Sequence, residues 1–257
     1  MAIKLKNKKE IEVLREAGKI LAKILEELSR AARVGVSAVD LNNLANELCQ
    51  KYEVRPTFLN YKPEGANRPY PASLCVSIND EVVHGIPNEG EPKILKDGDL
   101  VSLDMGIEYQ GLIVDSAVTV GVGEMDPAAK KLLAAGEEAR AAAIAAARIG
   151  GRTGDIGAAI EKVAQKYGFS TVKDLGGHGV GYAVHEDPFI PNFDKAGEGV
   201  VLKEGMVLAI EPMLNEGTDQ ITLDDDGYTF RTADGKRSVH FEHTAAITPA
   251  GPEILTT

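Results

Sequence analysis

Cysteine is nearly absent from this 257-residue chain: Cys49 and Cys75 are the only two. Two cysteines make no disulfide framework, and such usage points to a reducing, cytoplasmic setting. No apolar run is long enough to span a bilayer. The lysine-rich stretch Met1 to Glu10 lacks the apolar core of a signal peptide. Basic residues are outnumbered, 28 against 39 acidic, so the net charge is −11. That balance argues against sequence-specific nucleic-acid binding and against an anionic membrane. With 44% hydrophobic and 26% charged residues, a packed soluble core is expected. No linker or low-complexity tract divides the chain, so one domain over residues 1–257 is expected.

The chain repeats itself. RVGVSAVDLNNLANELCQKY, residues 33–52, aligns without a gap on RIGGRTGDIGAAIEKVAQKY, residues 148–167. Both copies read as a loop feeding an amphipathic helix. In the first, Ser37 and Asp40 can cap and Leu41, Leu44 and Leu48 form the buried stripe. In the second, Thr153 or Asp155 can cap, and Gly168 is the stop. Chance similarity between two amphipathic helices is the weaker alternative to internal duplication. Duplicated halves would meet at a shared site. Further helices are expected from about Lys8 to Arg33 and from Asp126-Pro127 to about Arg148. Strand-like runs cover residues 74–78, 100–107, 112–120, 206–210 and 239–247. Helices mixed with antiparallel-looking strands make an α+β fold.

Five polar residues interrupt these apolar or glycine-rich runs: Asp104, Asp115, His178, Glu211 and Glu242. A buried carboxylate must pair, bind metal or protonate. Four carboxylates and one imidazole can hold two divalent cations and activate water for hydrolysis. So oxygen-rich a set suits Mn, Fe, Co or Zn. The two aspartates lie on LVSLDMGIEYQGLIVDSAVTV, which reads as a hairpin. A two-residue loop at Tyr109-Gln110 would set Asp104 directly opposite Asp115. A loop one pair wider would make them diagonal neighbours on the same face. An exposed hairpin with solvated aspartates fits poorly, because the flanking positions are nearly all apolar. His178 and His185 sit in GGHGVGYAVHEDP, and His84 in NDEVVHGIP. A lone histidine is more often structural than a ligand; the shared glycine-rich settings favour function.

Together NDEVVHGIP, the paired aspartates, GHGVGYAVHEDP, IEPM and FEHT resemble the methionine aminopeptidases of the pita-bread metallopeptidase family, from Ile11 to Leu255. The resemblance implies two pseudo-symmetric halves, antiparallel sheet covered by helices. It implies that Asp104 chelates one metal ion, that His178 and Glu211 bind the other, and that Asp115 and Glu242 bridge both. Water held there would attack the carbonyl after the N-terminal methionine, with Glu211 as general base. His84 and His185 would contact the scissile amide. Phe58, Tyr61, Tyr70, Cys75, Val184 and Tyr228 would line the methionine pocket. Family members often carry cysteine at Phe58, phenylalanine at Val184 and tryptophan at Tyr228, and this chain has no tryptophan. It also carries extra residues around Gly65–Pro71, and Val114 where glycine is usual.

Only thirty residues separate Glu211 from Glu242, so the likeness is to type I enzymes, without the long insertion of type II. A monovalent cation near Asn79 and Ser238 is a further implication. So are a monomer and nascent polypeptide N-termini as substrates at the ribosome. Because the chain begins Met1-Ala2, it should be a substrate of its own class. An Xaa-Pro peptidase is disfavoured by the early start of the first helix. A non-catalytic binding protein is disfavoured by the complete ligand set.

Overall fold

The computed structural model describes residues 3–257; the expected cleavage point at Met1 and Ala2 lies outside them. Four helices carry the two repeats: α1 (Lys8–Ala31), α2 (Ala38–Lys51), α3 (Pro127–Ala146) and α4 (Thr153–Tyr167). The first half holds strands β1 (Arg55–Pro56), β2 (Cys75–Ile78), β3 (Glu81–Val83), β4 (Leu100–Tyr109) and β5 (Leu112–Gly121). The second half adds β6 (Ser170–Thr171), β7 (Gly176–Gly179), β8 (Glu186–Pro191), β9 (Val207–Ile210) and β10 (Met213–Asn215). It ends with β11 (Ile221–Leu223), β12 (Phe230–Thr232), β13 (Ser238–His240), β14 (His243–Thr248) and β15 (Gly251–Ile254).

Local chemistry accounts for the helix starts. Ser37 accepts from Asp40 N at 3.1 Å while the Asp40 carboxylate accepts from Ser37 N, closing a capping box. Asp126 caps α3 ahead of Pro127, and Gly168 ends α4 in the left-handed region. At α4 the expectation shifts by one residue. Arg152 is the cap position and Asp155 accepts from its N–H at 2.7 Å, but Thr153 is already helical. The Thr153 hydroxyl accepts instead from Val200 N at 3.2 Å.

The repeat is structural and extends beyond the two aligned segments. Leu95 N donates to Val36 O at 2.9 Å, and in the second half Leu202 N donates to Gly151 O at 2.8 Å. Isolated bridges join Ser37 to Ile94 and Arg152 to Val201. Each half therefore seats its helix-entry loop on the segment leading into a central strand. Two main apolar cores follow. One packs Leu14, Leu21, Leu41 and Leu48 of α1 and α2 on Leu103 and Met105 of β4. The other packs Leu132, Ile156 and Ile160 of α3 and α4 on Leu208, Ile210 and Ala245.

The hairpin register differs from the expected one. The turn is Gln110-Gly111, with φ of 50° and 80°, so β4 residue Tyr109 faces Leu112. A two-residue hairpin turn with positive φ at both positions favours glycine at the second, and Tyr109-Gln110 offers none. Asp104 therefore faces Ala117 and Asp115 faces Gly106, making the aspartates diagonal neighbours on one face. Gly106 leaves the room this needs: a Cβ there would lie 2.3 Å from Thr57 Oγ1. The run 239–247, expected as one strand, breaks at Phe241-Glu242 into β13 and β14, which belong to different sheets.

Candidate metal centre and active site

The two halves are stitched together at the candidate ligand positions themselves. Thr244 on β14 donates its hydroxyl to Asp115 O at 2.7 Å and accepts from Asp115 N at 2.9 Å. Glu242 N donates to Ala117 O at 2.9 Å, and the Ser116 hydroxyl donates to Glu242 O at 2.8 Å. Those backbone contacts fix Asp115 and Glu242 side by side where the sheets meet. Each keeps one buried carboxylate oxygen, Asp115 Oδ1 and Glu242 Oε1, without a hydrogen-bond partner. Glu211 sits at the other break, between β9 and β10.

His178 comes from β7, opposite Ala209 of β9. Its Nδ1 lies 2.9 Å from Gly179 O. A carbonyl only accepts, so Nδ1 carries the proton and Nε2 presents a lone pair. Burial lowers the His178 pKa to about 3, which keeps the ring neutral and able to ligate. Nε2 is 3.5 Å from Glu211 Oε1. One ligand atom each of Asp115, His178 and Glu242 lies within 4.8 Å of the others. Asp104 and Glu211 line the same cavity.

Electrostatics tests whether cations fit. Burial first, then repulsion from Glu211, raises Asp115 to about 8. Burial and its carboxylate neighbours likewise hold Asp104 and Glu242 well above the usual range, and burial does so for Glu211. Four clustered carboxyl groups cannot all ionise without positive charge between them. Unpartnered oxygens, a neutral imidazole with a free lone pair and this mutual repulsion fit divalent metal ions.

His84 and His185 border the same cavity. His84 is held at φ 59°, an uncommon backbone for a residue with a Cβ, and burial lowers its pKa to about 4. The His185 ring meets that of His178 edge-on, centroids 4.4 Å apart. The far end of the cavity, about 290 Å³ in all, is apolar and aromatic: Phe58, Tyr61, Tyr70, Cys75 and Tyr228 line it. Val184 does not. It is buried behind this wall and borders a separate surface groove with Tyr61 and Ile113.

Among known protein families, residues 12–249 match metallopeptidase family M24. The chain belongs to this family. It is 48% identical to the methionine aminopeptidase of Aquifex aeolicus, over 100% of this chain and 99% of that protein. It is 45% identical to that of Clostridium perfringens, over 98% of each. The crystal structure of methionine aminopeptidase from Thermotoga maritima superposes with a TM-score of 0.93 at 44% identity, covering 100% of both chains. Prolidase from Pyrococcus furiosus superposes with a TM-score of 0.75 at 25% identity, over 98% of this chain but 65% of the prolidase. The α+β architecture is thus the pita-bread fold.

One M24 cavity neighbour escaped sequence reading. His240 is 1% exposed, and its Nε2 lies 3.2 Å from Glu211 Oε2. Its signal was present in HFEHT, two residues before Glu242, but a histidine in a strand reads first as core. Pro63, Gly65, Ala66 and Phe230 also line the cavity, Gly65 and Ala66 from the segment of extra residues.

Proposed function

We propose that the chain is a type I methionine aminopeptidase that removes the N-terminal methionine from nascent polypeptides whose second residue is small. The observation that carries this reading is the meeting, in one cavity, of buried unpartnered carboxylates with a largely aromatic wall. Asp104, Asp115, His178, Glu211 and Glu242 would hold two divalent ions, from among Mn, Fe, Co and Zn. Such ions lower the pKa of water toward neutrality and polarise a carbonyl.

The protein's own groups supply the rest. Glu211 accepts the proton from the attacking water and returns it to the leaving amine. Its raised pKa and its contacts with His178 and His240 suit that exchange. His185, with Nδ1 engaged by Tyr61, points its other ring nitrogen at the scissile amide. His84, kept neutral by its lowered pKa, offers a second donor. Phe58, Tyr61, Tyr70, Cys75 and Tyr228 enclose the methionine side chain. A monovalent cation near Asn79 and Ser238 belongs to the same reading and rests on the resemblance alone.

Nascent chains at the ribosome are the natural source of such N-termini, and the reading places the protein in the cytoplasm as a monomer. No helix among the described residues is long and apolar enough to cross a membrane.

The test is hydrolysis of Met-Ala-Ser, Leu-Ala-Ser and Ala-Pro-Ser by chelator-treated protein given Mn or Co. Metal-dependent release of methionine alone is expected. Release of alanine ahead of proline would instead favour an Xaa-Pro peptidase, the activity of the prolidase with the same fold.

A further inference from the structure

The segment between β1 and β2 forms a closed strap over the cavity. Its ends are tied together: Asn60 N donates to Tyr70 O at 2.9 Å, and Tyr70 N donates to Tyr61 O at 2.8 Å. Within this loop Pro63, Gly65 and Ala66 face the cavity. The hairpin connection between β11 and β12 lines the cavity beside it, with Gly227 and Tyr228. Arg68 joins the two. Its guanidinium grips the Glu89 carboxylate with two parallel bonds of 2.7 and 2.6 Å. The same group donates to Asp226 O at 3.0 Å, and the Tyr228 hydroxyl donates back to Arg68 O. Asp226 is itself fixed, accepting from Tyr228 N at 2.7 Å and Thr229 N at 2.8 Å. Tyr228 then meets Tyr70 edge-on, ring centroids 5.1 Å apart.

Two walls of the side-chain pocket are therefore set by one residue that never touches its interior. We propose that Arg68 is a specificity-determining positioning residue: by latching the strap to the β11–β12 connection it fixes the bore of the pocket, and so the width of the first side chain accepted. This rests on the aminopeptidase reading above. Arg68 and Glu89 are 38% and 39% exposed at their side chains, so the latch stands in water. An exposed ion pair adds little to the stability of the whole fold. Its effect is local, on the separation of Tyr70 and Tyr228.

The experiment compares Arg68→Ala and Glu89→Gln with the unaltered protein on Met-Ala-Ser, Leu-Ala-Ser and Phe-Ala-Ser, with Mn added. Cleavage of Met-Ala-Ser by the unaltered protein establishes the reading on which the latch rests; its absence would overturn both. Given that cleavage, Arg68→Ala should raise KM for Met-Ala-Ser and leave kcat within about twofold. Its preference for methionine over phenylalanine should fall about tenfold, the scale on which apolar pockets discriminate. Glu89→Gln should move the same ratio in the same direction by less. Unchanged thermal unfolding and Mn affinity would separate loss of the latch from general loosening. Preference within twofold of the unaltered protein in both variants would overturn the latch while leaving the aminopeptidase reading intact.

Discussion

The Tyr61 hydroxyl lies 2.9 Å from Nδ1 of His185, although 124 residues separate them in the chain. Burial raises the Tyr61 pKa, so the phenol keeps its proton and can donate. With Nδ1 accepting, the proton of the neutral ring sits on Nε2, where the proposed substrate contact needs it. Tyr61→Phe keeps the ring in the pocket and removes that constraint. We expect kcat to fall about tenfold with little change in KM, on the scale of lost supporting hydrogen bonds around active-site histidines. Steady-state kinetics on Met-Ala-Ser would check this; an unaltered kcat would mean that His185 needs no such help.

Glu211 and Glu242 show how far a sequence carries a site. Each interrupts an apolar run, and that anomaly alone marks both. What the runs do not reveal is that the strands change sheets there. β9 pairs with β14 and β10 with β13, so the two breaks lie side by side and both glutamates turn into one cavity. The helices were more legible, because Ser37, Asp40, Asp126 and Gly168 act locally. The hairpin turned on one residue of register, decided by the positive φ of Gln110 and Gly111. A second repeat was there to be found as well. ILKDGDLVSLD ends at Asp104, within β4, and VLKEGMVLAIE at Glu211, just beyond β9, and the two segments make matching bridges at Ile94 and Val201. The strap was visible only as extra residues, because its latch joins Arg68 to Asp226 and Tyr228, about 160 residues away.

Asp115→Asn probes the metal centre without changing shape. Asparagine fills the same space but brings no charge to the position proposed to bridge two ions. Turnover should fall by about a thousandfold or more, about 4 kcal/mol of transition-state stabilisation. Metal content should drop below two ions per chain by elemental analysis. The metal-free variant should unfold no more easily than the parent, since without cations burial and its neighbours hold this position uncharged up to about pH 8. Near-normal turnover would sink the two-ion reading.

Chelation should expose the carboxylates' mutual repulsion as a pH effect. Asp115 titrates at about 8 in the fold, far above an aspartate in an unfolded chain. The folded state therefore binds this proton more tightly than the unfolded state. The stabilisation is complete below the ordinary carboxylate range and is lost as pH rises through about 8. Asp104, Glu211 and Glu242 shift in the same direction. Metal-free protein should then show a lower urea midpoint at pH 8.5 than at pH 6, and added Mn should raise it most at pH 8.5. A midpoint that climbs with pH in chelated protein would contradict this arrangement of charge.

Lys6 and Glu186 form an ion pair of 2.6 Å whose side chains are only 1% and 9% exposed. Glu186 also accepts from Ala183 N at 3.0 Å and immediately follows His185, so the pair anchors the turn that carries this histidine. Lys6 is held in turn by its own backbone, Lys6 N donating to Gly205 O at 2.7 Å. Removing one partner of a buried pair leaves the other charge uncompensated. Lys6→Ala should therefore lower stability by about 3 kcal/mol in urea unfolding. Adding Glu186→Gln should recover part of that loss, since glutamine can still accept from the turn's N–H groups but leaves no stranded charge. Turnover should fall in Lys6→Ala more than KM changes, because the turn loosens at His185 and not in the side-chain pocket. A loss under 0.5 kcal/mol, of the order seen for exposed pairs, would show that water reaches Glu186 once Lys6 is gone.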